Sequence, residues 1–157
     1  MSFIAVLRIV VFYLLAVLVA TILGCLVQTQ INLAALQQID VPISWSDRLT
    51  SSWQDLLNFT RIFGIMVAAA LLPALPVAAA LSRIFRPWRW LLFALAGAMG
   101  IWAAFTAANL YLPMPTFIAA TRETYGLLAM MAAVAVGSWL FGHLTRPKSK
   151  RGLRVLG

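Results

Sequence analysis

The sequence predicts an all-α integral membrane protein, a four-transmembrane-helix bundle with an amphipathic outer helix between helices 1 and 2. Three observations carry that prediction. Hydrophobic residues make up 63% of the 157 residues and charged residues only 10%, against roughly 45–50% and 25% in soluble domains. Four runs, at about 9–27, 62–81, 90–111 and 125–144, are nearly free of charge. At 1.5 Å per residue, about 20 residues of helix cross the roughly 30 Å hydrocarbon core. The third observation is where the charges fall.

Between and beyond the four runs, Arg8, Arg83, Arg86, Arg89, Arg146, Lys148, Lys150, Arg151 and Arg154 share one side with no acid among them. The other side holds Arg48, Arg61 and Arg122 together with all four acids, Asp40, Asp47, Asp55 and Glu123. Basic residues near the ends of spans are retained in the cytoplasm. Both termini are therefore expected there, in the manner of a multi-pass protein of the bacterial inner membrane. Residues 1–145 form one transmembrane domain and 146–157 a basic tail that lies on anionic headgroups.

Helix 1 is expected to stay attached. Its "ILGC" ending resembles a lipoprotein cleavage site only loosely, because Leu23 is bulky where such sites take small residues. Cys25 is the single cysteine, so an intrachain disulfide and a thiolate metal cluster are ruled out, and it reads as a small packed hydrophobe.

In the outer segment, about 44–58, Trp45, Leu49, Trp53, Leu56 and Leu57 fall on one helical face, with Asp47, Arg48, Ser51, Gln54 and Asp55 mostly opposite. Ser44 or Ser46 suits the N-cap and Asp47 the first-turn dipole. This pattern predicts an interfacial helix that lies at the periplasmic surface and then turns into helix 2. Trp45, Leu49 and Trp53 are its partner-facing residues.

Helix 2 contains Pro73 and Pro76, each of which removes a backbone donor and crowds the preceding turn. A kink near Leu72 follows, either a fixed bend or a hinge. Next comes "RIFRPWRW", a short basic turn in which Arg83, Arg86 and Arg89 reach lipid headgroups while Trp88 and Trp90 sit in the aromatic belt. Each span also carries small residues at a spacing of four, the pattern that lets backbones approach in lipid. These are Ala16/Ala20/Gly24, Ala70/Ala74/Ala78, Ala96/Gly100/Ala104/Ala108 and Ala129/Ala133/Gly137. Helix 4 is expected to start at Thr121 as its cap.

The threading brings polar groups to one level near the outer boundary: Gln28, Gln30, Asn32, Arg61, Thr106, Asn109, Arg122 and Glu123. Buried amides and guanidinium groups left unpaired are costly, so these should satisfy one another or bind a ligand.

Several chemistries find no footing. No carboxylate or histidine lies within a span, as proton-coupled transport normally needs; His143, the single histidine, sits at a span end. Metal and haem sites lack ligands, so no cofactor is expected. The +8 net charge sits where membrane insertion already requires it, which removes the case for nucleic acid. The expectation is a small accessory or scaffold subunit, without catalysis of its own, that binds membrane lipid, further copies of itself or a larger membrane protein. One alternative is an oligomeric small-solute channel or transporter using the outer polar level. The other is a lipid-modifying enzyme on the outer face, using Glu123 or Asp55 with Arg122.

Overall fold

The computed structural model describes residues 3–38, 44–111 and 119–146. Among them the protein is all-helical, with four helices long and apolar enough to cross a membrane. They are α1 (Phe3–Gln37), α2 (Trp45–Ile84), α3 (Arg89–Tyr111) and α4 (Thr124–Leu144). A 3₁₀ turn over Arg86–Trp88 joins α2 to α3, and another over Ala119–Arg122 precedes α4. The positions of Asp40 and of the basic tail beyond Arg146 lie outside the described residues.

Short connections make consecutive helices antiparallel, and the four form a closed ring in which α4 returns to pack on α1. α1 and α3 occupy opposite corners without touching. The chain thus has a basic end, where α1 and α3 begin and α2 and α4 finish, and an opposite end that holds every described acid.

Without a hydrophobic drive between helices in lipid, the seams depend on close approach. Ala16 and Ala20 of α1 are fully buried against Gly137 of α4. Gly24 lies under the Phe63 ring, which stacks between Phe59 and Phe105. On α3 the buried row is Phe93, Gly97, Ile101 and Phe105, one helical position round from the expected alanine stripe. Gly97 admits the buried Ser138 hydroxyl, which donates to Phe93 O at 2.5 Å. The stripe through Ala96, Gly100 and Ala104 instead faces α2, where it borders a shallow apolar groove beside Pro73.

Two elements differ from the sequence expectation. The outer amphipathic segment is helical but not separate: residues 45–84 make one 40-residue helix. Ser44 caps it, its N–H donating to Asp47 Oδ2 at 2.9 Å while Asp47 N–H donates to Ser44 Oγ. No glycine or proline between 45 and 72 interrupts the backbone ladder except Gly64, which a helix tolerates. At the start of α4 the cap position falls to Glu123, and Thr121 sits in the 3₁₀ turn before it.

Candidate functional site

The helix lengths are unequal, and that sets up the outer site. α2 runs about 60 Å and α1 about 52 Å at 1.5 Å per residue, far more than the roughly 30 Å hydrocarbon core. From Arg61 to Arg83 α2 covers about 33 Å, close to that thickness. The turns before Arg61, with the last turns of α1 beside them, therefore project beyond the ends of α3 and α4 as a two-helix extension.

Side chains in this extension are arranged with polar groups inward. Arg48 Nη1 donates to Gln30 Oε1 and Arg48 Nη2 to Gln37 Oε1, both at 2.9 Å. The Thr29 hydroxyl lies 2.8 Å from Asp55 Oδ2 and 2.9 Å from Cys25 O, so its single proton serves one acceptor at a time. Cys25 Sγ sits 3.3 Å from the Thr60 hydroxyl. Ser51 and Asp55 are half-buried toward α1, while Leu56 packs on the core. The large apolar side chains point away: Trp45, Leu49, Trp53 and Leu57 are 83%, 72%, 63% and 64% exposed. A hairpin in water would bury that face.

The outer polar level is less concentrated than the sequence suggests. Gln28 is buried, and its Oε1 has no hydrogen-bond partner among the described residues. Gln30 accepts from Arg48, and Asn32 is half-buried. Arg61, Thr106, Asn109, Arg122 and Glu123 are exposed, with the Thr106 hydroxyl donating to Trp102 O of its own helix. Residues 112–118, between α3 and α4 in the chain, lie outside the described residues.

At the basic end a different site is present. Arg89 is half-buried and ties three helices together. Its Nη1 donates to Ser82 Oγ at 2.8 Å, its Nε to Gly142 O at 3.3 Å, and its Nη2 to Thr145 Oγ1 at 3.1 Å and Thr145 O at 3.3 Å. Both hydroxyls donate onward to their own helices, Ser82 to Ala79 O and Thr145 to Phe141 O, which leaves their lone pairs turned to the guanidinium. The guanidinium carbon also lies 4.7 Å from the Phe93 ring centroid, a cation–π contact. Trp88, Trp90, Arg83 and Arg86 are exposed around it.

Beside Arg89 a cavity of about 1020 Å³ opens between the first turns of α1, the stretch of α2 from Leu71 to Arg83 and the end of α4. Its upper limit is Tyr13, whose hydroxyl donates to Ala68 O at 2.7 Å. Pro73 and Pro76 deprive the carbonyls of Ala69 and Leu72 of their usual helical donors, and Leu72 and Pro76 both line the cavity. Its walls are apolar, with Ile4, Ile9 and Leu75 among them, and Arg8, Arg83, Arg89 and Arg146 stand round it. Reading the sequence picks out Arg83 and Arg89 but not Arg8 and Arg146 as their companions, nor Ser82 and Thr145 as the acceptors. Nothing in their spacing announces the grouping, because all four helices contribute to it.

The described residues contain no group of three or more histidine, cysteine, aspartate or glutamate side chains able to hold a metal ion. Compared with known protein families, curated proteins and solved structures, the chain finds no match.

Proposed function

We propose that this chain is a non-catalytic accessory subunit of a bacterial inner membrane, with both termini in the cytoplasm. It docks on a larger integral membrane protein through the outer extension of the α1–α2 hairpin. The observation that carries this reading is the exposed stripe of Trp45, Leu49, Trp53 and Leu57, backed by polar contacts that join α2 to α1. Tryptophan anchors on a rigid helix are the usual centre of a protein interface. Further along the same helix Ile62 and Ile65 are also exposed, which suits a partner that is itself embedded in the membrane. The same stripe supports a second placement, with the extension inclined so that its tryptophans lie in the headgroup layer.

A pore or hydrolase draws less support, because among the eight residues of the outer polar level only Gln28 is buried. The test is the size of the native assembly extracted from membranes in mild detergent. Wild type is expected in a complex larger than its own monomer or dimer, and Leu49→Ser/Trp53→Ser is expected to release it with helix content unchanged. Identical migration of the two proteins would refute the docking face.

A further inference from the structure

The geometry points to a binding site for one anionic phospholipid in the cavity at the basic end, its acyl chains between α1 and α2 and its phosphate among Arg8, Arg83 and Arg146. This rests only on the chain being a membrane protein and not on the docking face, which lies at the other end of the helices.

The shape comes first. At about 1020 Å³ the cavity stands at the top of the roughly 300–1,000 Å³ range of ligand sites. It is a side-opening cleft between α1 and α2, with the end of α4 forming part of its wall, of a form that admits a chain from the bilayer. The Tyr13–Ala68 hydrogen bond closes its deep end and Pro76 lies in its wall.

Charge then selects the occupant. Four guanidinium groups stand round an otherwise apolar cleft, and its lining contains no carboxylate. The described acids, Asp47, Asp55 and Glu123, all lie at the opposite end of the bundle. Arg89 spends its donors on neutral acceptors, two hydroxyls and two carbonyls, so its charge remains uncompensated. Arg8 rests over the Phe12 ring with its centroid 5.1 Å away, which holds the guanidinium beside the cleft without neutralising it. A ligand that balances this site brings an apolar body and an anionic head. Guanidinium groups suit phosphate through paired N–H donors. Arg89 is the positioning residue: by joining α2, α3 and α4 it fixes the wall on which Arg83 and Arg146 stand.

The test uses the whole chain in detergent, titrated with dioleoyl-phosphatidylglycerol or dioleoyl-phosphatidylcholine and read by native mass spectrometry. One phosphatidylglycerol per chain is expected to survive activation that strips phosphatidylcholine. Arg8→Gln/Arg83→Gln, both at exposed positions, is expected to weaken retention about 30-fold, from the contribution of two basic residues near an anionic headgroup. Ala5→Phe, which narrows the cleft and leaves every charge in place, is expected to lower retention of phosphatidylglycerol while circular dichroism stays that of wild type. Equal retention of the two lipids overturns the proposal. So does full retention by Ala5→Phe, which would reduce the effect to attraction between the bundle surface and any anionic headgroup. Displacement of the lipid by glycerol phosphate at equal concentration also overturns it, since the site would then be one for free phosphate.

Discussion

Replacing Gly137 with alanine probes the α1–α4 seam, where backbone meets backbone. A Cβ at Gly137 would lie 2.6 Å from Ala16 O and 2.7 Å from Ala20 Cβ. Neither is the end of a flexible side chain, so relief requires the two helices to separate. Overpacking of this kind costs about 1–3 kcal/mol, and the rigidity of the neighbours argues for the upper end. Alanine returns about 0.8–1 kcal/mol of helix propensity over glycine, which leaves a net destabilisation of about 2 kcal/mol, or about 30-fold in the folded-to-unfolded ratio. Gly64→Ala is the control. Its Cβ would meet Thr21 at 3.5 Å, an ordinary contact, so it gains the same propensity without the clash and should equal or exceed wild type in stability. Unfolding in detergent with increasing dodecyl sulfate, followed by tryptophan fluorescence, separates the two. If Gly137→Ala unfolds with or after Gly64→Ala, close backbone approach is not what holds this seam.

Other consequences follow from the polar contacts and the threading. Arg89→Gln cannot span from Ser82 to Thr145 and should lower stability by about 2–3 kcal/mol, with Arg89→Lys recovering less than half because an ammonium lacks the planar fork; full rescue by lysine in the same unfolding assay would refute that role. Thr29→Val should cost about 1 kcal/mol and speed hydrogen exchange in residues 29–37 and 45–60 while leaving 65–84 unchanged. Uniform acceleration along α2 would mean that the extension is no independent unit. In a Cys25→Ala background, Arg86→Cys should react with an impermeant maleimide only from the cytoplasmic face and Asp47→Cys only from the opposite one. Labelling of both from one face would end the proposed threading.

Much of this architecture is legible in the residue order because lipid imposes few solutions. A run such as 125–144 has to satisfy its backbone internally, and a helix is the way a single segment does so. The observed α4, Thr124–Leu144, starts within one residue of that run. Helices 1 and 2 are read less completely. Their apolar runs end near Val27 and begin near Ile62, yet the helices extend to Gln37 and back to Trp45. Hydropathy reports the solvent around a helix and not the length of its hydrogen-bond ladder. The amphipathic face of residues 45–57 is visible in the sequence as well, but periodicity does not say which face turns inward. Arg48 and Asp55 point toward α1 because Gln30, Gln37 and Thr29 wait there as partners.

What the sequence by itself determines is the number of crossings and the segregation of charge, since both depend on the transfer of single segments and single side chains between water and lipid. Tertiary structure alone decides the ring order, the one-position rotation that buries Gly97 and Phe93 on α3, and the gathering of Arg8, Arg83, Arg89 and Arg146 round one cleft. Those features depend on which helices meet and at what rotation, and residues more than fifty positions apart, such as Arg89 and Thr145, carry no local pattern that records their contact.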